Sequence, residues 1–290
     1  MAFTSIDQLI SSLSSLGKTS RIPFSKVIQT GATSVAGRFH EVFSGAGTGG
    51  AGILTGTAGL GTALGNSTQG SIPLNPSTVT PDTKHLLGLL AGTNSTTVVP
   101  GMAMLVDLLY IYPSCVVTGT PTTFNNTAPR PTRLNNGQGV QCGAIVVGAL
   151  GAAQPVLTVN YTDQDNNTQN GTLSASANSL PVGSMLAGSP TAGILGSPAM
   201  ALATGDSGVR QLNSYTIASG TTGTVTFVLY RPLAMIPLVG ANIWGERDFL
   251  NQMPSLPTIP DDACLSFFVN IGGAMTTNQT IYGEMVTAWG

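Results

Sequence analysis

Val225-Thr226-Phe227-Val228-Leu229-Tyr230-Arg231-Pro232 is the stretch that decides the fold. Its residues have high β-propensity, and Val225, Phe227 and Leu229 fall on one side of an extended chain, so it reads as a strand. Upstream, Val156-Leu-Thr-Val-Asn-Tyr161 alternates in the same way. It then meets Thr162-Asp-Gln-Asp-Asn-Asn-Thr-Gln-Asn-Gly171, a polar cluster of hairpin character ahead of Thr172-Leu-Ser-Ala. Further strand runs fall at Met104 to Tyr112, Val140 to Leu150, Tyr215 to Ile217, Leu233 to Leu238, Cys264 to Asn270 and Ile281 to Trp289. Short strands separated by Gly, Pro and Asn turns predict an all-β body over residues 101–290, a β-sandwich or jelly roll.

Before residue 101 the signals change, and the expectation is an extended N-terminal arm over 1–100 with one short helix at about 5–16. Ser5 with Gln8 has capping-box spacing, and Ile6, Leu9, Ile10, Leu13 and Leu16 recur on one face until Gly17 ends the pattern. So short a helix is marginal alone and must dock, on this body or on a partner. From Gly45 to Gly70 the chain is Gly, Ala, Thr and Ser with scattered Ile and Leu. Regular structure is costly at that glycine density, so an apolar arm laid across a neighbour is expected. Pro73, Pro76 and Pro81 imply an extended linker, and Leu86, Leu87, Leu89 and Leu90 a brief docked helix.

Charge is the strongest compositional signal. Ten Lys/Arg and twelve Asp/Glu make 8% of 290 residues, against about 25% in an ordinary soluble domain. On the surface of a free monomer that is about one charge per 500 Å², against about one per 160 Å² at average composition. The longest apolar run, Cys142 to Ala153, is too short and glycine-broken for a membrane span. With 42% hydrophobic residues and a net charge of -2 the chain is not of disordered type. Assembly remains: a neutral surface covered by copies of itself or by another protein.

Motifs for chemistry are weak. Gly205-Asp-Ser-Gly208 matches the surroundings of a serine nucleophile, Ser207, but a triad needs a His and the chain has only His40 and His85, both in the arm. A turn is the expected reading, and a serine hydrolase the remote alternative. Asp163-x-Asp165-x-Asn167 begins like a calcium loop, yet Thr168 and Ser174 stand where Gly and Glu are needed. Gly45-x-Gly47-x-x-Gly50 follows no evident strand and opens no helix, against nucleotide binding. Cys115, Cys142 and Cys264 are odd in number and widely spaced, which suggests buried thiols and not a disulfide framework. No catalytic residue, cofactor or metal site is therefore expected. Lys18, Arg21, Lys26 and Arg38 make a sparse basic stretch, read as a solvated arm without specific nucleic-acid binding. Asp261-Asp262 is expected to open a turn ahead of Cys264, and the N-terminus lacks the pattern of a secretory signal, which fits synthesis in a cytoplasm.

Several segments together resemble a family of head-associated structural proteins of tailed-bacteriophage virions. These are Gly37-Arg-Phe-His-Glu-Val-Phe43 with the glycine-rich run, Met104-Leu-Val-Asp-Leu-Leu-Tyr-Ile-Tyr-Pro113, and Gly137-Gln-Gly-Val-Gln141. They continue with Thr158-Val-Asn-Tyr-Thr-Asp-Gln-Asp165, Gly205-Asp-Ser-Gly-Val-Arg210 and Phe249-Leu-Asn-Gln-Met-Pro-Ser-Leu-Pro257. The resemblance implies a virion protein of the phage head, a cement, decoration or minor capsid protein whose partner is the major capsid protein. A homotrimer is the simplest expected cluster, with no membrane partner. A fibre, spike or tail-associated protein with a receptor-binding role is the alternative. Candidate interface residues are Ile6, Leu9, Ile10, Leu13, Leu16, Arg21, Arg38, Phe39, Phe43, Trp244, Glu246, Arg247 and Asp248, the last three as an intersubunit ion-pair group or an ordinary surface salt bridge.

Overall fold

The computed structural model describes residues 3–118, 122–175, 177–188, 197–218, 220–252 and 256–290. Met253, Pro254 and Ser255 of the closing segment 249–257 lie outside them. In chain order the elements are α1 (Ile6–Ser14), β1 (Thr19–Ile28), β2 (Phe39–Glu41), β3 (Thr62–Ala63), β4 (Lys84–Thr93), β5 (Gly101–Val116) and β6 (Thr122–Thr123). A 3-10 turn at Thr132–Leu134 leads to β7 (Gln141–Gly148), β8 (Val156–Asp163), β9 (Thr168–Ser174), β10 (Val209–Ile217) and β11 (Thr224–Leu238). The chain closes with β12 (Gly245–Asp248), α2 (Phe249–Gln252), β13 (Leu265–Asn270) and β14 (Gln279–Trp289).

Three antiparallel sheets make the all-β sandwich that the sequence predicts. The central sheet runs β2-β13-β5-β11-β7, with β3 added on β5. Its long strands β5 and β11 pair from Leu238↔Gly101 to Thr224↔Val116, and each half takes a different sheet as cover. Over one half lies the sheet β6-β10-β8-β9; there Val225, Phe227 and Leu229 meet Leu157, Val159, Tyr161 and Tyr215 in one core. Over the other half lies the sheet β1-β14-β4-β12, whose Ile22, Phe24, Leu86, Leu89 and Met285 pack on Leu105, Ile236 and Phe267. The ladder shifts register between Leu229 and Tyr230 and between Pro232 and Ala234. Each bulge inserts one residue and resets which side chains face which cover.

This pairing corrects the reading of residues 1–100 as an extended arm. β1 runs along β14 from Thr19↔Ala288 to Ile28↔Gln279, and β4 runs along the other side of β14. N- and C-terminal strands therefore share one sheet, and no boundary falls at residue 100. The leucines 86–90 are strand, not helix. Leu86 and Leu89 enter the sandwich core while Leu87 faces α1, so the strand is buried on both faces and shows no alternation.

The helix is where expected. Ser5 Oγ accepts from Gln8 N–H at 3.2 Å and Gln8 Oε1 accepts from Thr4 N–H at 2.8 Å, a variant of the expected box. Gly17, at φ +61°, follows it. It docks on its own body through Leu9, 6% exposed, against Leu87 and Ala288, yet Ile6 remains 74% exposed.

Candidate functional site

The glycine-rich segment lies over the chain's own central sheet, not across a neighbour as the sequence reading expects. Phe43, Leu54 and Leu64 pack on Met104, Val106, Ile111, Val228 and Phe268, side chains of the central sheet that alternate with those facing the two cover sheets. Residues 43–72 form a strap, and its glycines are what let it lie flat. A Cβ on Gly52 would stand 2.3 Å from the Phe43 ring, and one on Gly61 2.4 Å from Tyr110.

Buried cations staple the strap at both ends. Lys26 is fully buried, and its ammonium donates to the carbonyls of Gly50 at 2.6 Å, Gly45 at 2.7 Å and Phe43 at 3.3 Å. Burial lowers its pKa to about 8, while the Glu41 carboxylate works in the opposite direction. Glu41 is itself buried and pushed upward by desolvation, against hydrogen bonds from the Ser44 hydroxyl and from Ser44 N–H at 2.8 Å. At the far end Arg133 donates to Leu64 O at 2.6 Å and Leu108 O at 3.0 Å. It pairs with Asp107 at 2.9 and 3.2 Å and with Asp262 at 2.9 Å. Burial disfavours that guanidinium, but the two carboxylates hold its pKa above the ordinary value. Asp107 also accepts from Cys264 N–H at 2.8 Å, which links strap, turn, β5 and β13 in one network. A similar arrangement holds the proline-rich segment: Lys84 donates to Pro76 O at 2.8 Å, and Asp261 accepts from Val79 and Thr80 N–H.

These networks move charge inward. Lys26, Glu41, Lys84, Asp107, Arg133 and Asp163 are buried, which leaves 16 of the 22 charges to serve 11,422 Å² of surface, about one per 700 Å². Nothing in the sequence marks those six as interior, because isolated charges ordinarily read as solvated.

Of the candidate interface residues, Ile6, Ile10 and Leu16 are exposed, Leu13 is half-buried and Leu9 is buried. Arg21 is exposed and pairs with Glu284 at 2.8 Å. Arg38 is half-buried beside β2, its carbonyl accepting from Ile271 N–H. Phe39 and Phe43 are core residues, not surface ones: Phe39 lies on β2 of the central sheet and Phe43 opens the strap, and both enter the core between strap and sheet. Trp244 is half-exposed, edge-on to Tyr282 at 5.2 Å. Glu246, Arg247 and Asp248 form no ion pair among the described residues: Arg247 donates to Met235 O, and Asp248 caps α2 by accepting from Leu250 N–H at 2.9 Å.

The weaker motifs resolve as turns. Gln164 Oε1 accepts from the N–H groups of Ser207 and Gly208 at 3.0 and 3.2 Å, and Ser207 O accepts from Gly139 N–H at 3.0 Å. Ser207 is exposed ahead of β10, whereas His40 is buried in β2 with Nδ1 on Gln29 O at 2.8 Å, and His85 is buried in β4. Ser207 thus sits in the turn before β10, while His40 on β2 and His85 on β4 belong to the two other sheets. The Asp163 carboxylate is occupied by donors from Asp165 N–H, Asn167 N–H and Asn167 Nδ2, the pattern of a hairpin tip. Ala263 N–H on Pro260 O closes the expected turn at Asp261-Asp262. All three cysteines are free and buried, and burial pushes Cys115 and Cys264 up to about 12. Among the described residues no group of three His, Cys, Asp or Glu side chains is placed to hold a metal, and no helix is long and apolar enough to cross a membrane.

The described surface has three grooves of note. One of about 350 Å³ is formed by the strap itself together with β5, and includes Ile53, Leu60, Leu64, Ile111 and Pro113. A smaller one contains Glu41, and a third, on the outer face of the β1-β14-β4-β12 sheet, contains Arg21, Glu246 and Asp248. No protein-family model, no curated protein and no solved structure matches this chain.

Proposed function

We propose that this chain is a non-enzymatic structural protein of the tailed-phage head, a cement or decoration subunit that packs against the major capsid protein and against copies of itself. The observation that carries the reading is the surface: 16 unburied charges over 11,422 Å², with Ile6, Ile10, Ile53, Ile243 and Trp244 more or less half or further in solvent. Neutral area of that kind gains from being covered, at about 25 cal/mol per Å² of apolar surface removed from water. The sequence blocks that resemble head-associated virion proteins supply the identity of the partner. A body whose termini are tied into one sheet and whose glycine-rich strap is wired to its own core suits a rigid tile. Contact with the shell then falls to surfaces of the folded body and to α1, not to a long free arm.

The test is co-sedimentation of the purified chain with tailed-phage head shells assembled without decoration protein. Saturable binding that raises the temperature at which shells rupture is the expected result. Shells that neither bind the chain nor gain resistance contradict the proposal.

A further inference from the structure

Two features at opposite ends of the long strands complement each other. The first is an anchor. The turn 239–244 between β11 and β12 is closed by Ile243 N–H on Gly240 O at 3.2 Å and tied to the body by Asn242 N–H on Thr93 O at 2.7 Å. So held, it leaves Val239, Ile243 and Trp244 57%, 55% and 50% exposed. Tyr282 supports the Trp244 ring edge-on. Large apolar groups fixed in water around a Trp have the composition of an interface hot spot, and their ordering cost is already met.

The second is the groove formed by the strap and β5. Its lining is aliphatic side chains, threonines and Gln69, with no ionisable group. The groove on the outer sheet face would require an apolar anchor to desolvate Arg21, Glu246 and Asp248, and the one that contains Glu41 is smaller, at about 200 Å³. Of these three, the strap groove alone combines a lining free of ionisable groups with the larger volume. At about 350 Å³ the groove is also of a size that accepts an aromatic side chain with a neighbour. Within one chain the two cannot meet. Leu238 pairs with Gly101 at the anchor end of β5, and Ile111 and Pro113 stand at the groove end, on the order of 40 Å further along at about 3.3 Å per residue.

We infer that the Trp244 turn of one copy seats in the strap groove of a second copy, a head-to-tail contact between different patches. It rests on the self-association in the proposed function and specifies its surfaces, but not on the shell. A joined pair keeps one unused anchor and one unused groove between its two copies, so the contact repeats; where the rotation between copies closes, the product is a ring, for which the expected trimer is the simple case.

The test uses two variants of the full chain, each at an exposed position. Trp244→Glu spoils the anchor and leaves the groove; Ala63→Arg, on β3 in the groove wall, spoils the groove and leaves the anchor. Circular dichroism and melting temperature should match wild type for both. Sedimentation velocity should show a closed oligomer for wild type, a monomer for each variant alone, and a one-to-one heterodimer when the variants are mixed, because one intact anchor and one intact groove remain. A monomeric wild type, a variant that assembles like wild type, or a mixture that stays monomeric overturns the inference. Shell binding is read separately: wild-type rings that ignore shells count against the proposed function alone.

Discussion

The strap and the helix α1 both belong to the first hundred residues, both are short of charge, and they are held in opposite ways. The strap, residues 43–72, has hardly any regular structure, yet fully buried Lys26 and nearly buried Arg133 bind its carbonyls and its aliphatic residues sit in a core. The helix has a good cap and a clear apolar stripe, yet Leu9 is its one buried apolar residue and Ile6 and Ile10 remain in water. Secondary structure is therefore a poor guide to which of the two is integral. Interior hydrogen bonding to otherwise unpaired backbone groups is the better one, since each such group left dry and unpaired is costly.

The largest blow to this contrast comes from Arg133→Met. It strands Asp107 in the interior and removes the donor from Leu64 O, so denaturant melts should show a loss of about 4 kcal/mol, with faster amide exchange at the Leu64 end of the strap. Lys26→Met orphans the carbonyls of Phe43, Gly45 and Gly50; about 3 kcal/mol is expected, with exchange accelerating first at 45–50.

Acid should act at the strand that leads into the strap. Burial, opposed by the bond to Gln29, lowers the pKa of His40 to about 4 from an ordinary 6.5. Between those values the unfolded chain takes up a proton that the native chain refuses. This contribution is complete above pH 6.5 and lost as pH falls toward 4, by about 3 kcal/mol. Urea melts across that window should slope less for His40→Asn than for wild type; parallel slopes would contradict the assignment.

Gly52→Val sharpens the steric half of the comparison, because its side chain meets the Phe43 ring, and about 2 kcal/mol is the expected cost. At the small end, removing residues 1–16 should lower stability by about 1 kcal/mol or less and leave strap exchange unchanged. A cooperative loss of the strap on that deletion would show that the helix is integral after all.

The body was legible for two reasons: β8 is half-buried, with Leu157, Val159 and Tyr161 inward and their neighbours partly exposed, and Val225 to Tyr230, though buried on both faces, are residues of high β-propensity. β4 was not legible, since Leu86, Leu87 and Leu89 find apolar cover on both faces and leave no period to read. The strap was legible as an apolar segment that must lie across something, but not as lying across its own sheet, which depends on β13 and β5 from far along the chain. The candidate surface was half legible. Trp244 stood out by composition, while Phe39 and Phe43 looked equally available and are core. The stapling cations were the least visible, because a Lys or Arg declares its charge in a sequence and not its depth.

The claim on which the rest depends is that this neutral exterior is covered by further protein. Sedimentation equilibrium of the full chain over a wide concentration range tests it most directly. The account predicts a defined oligomer that persists on dilution; a monomer that stays freely soluble at the highest concentration reached would contradict it.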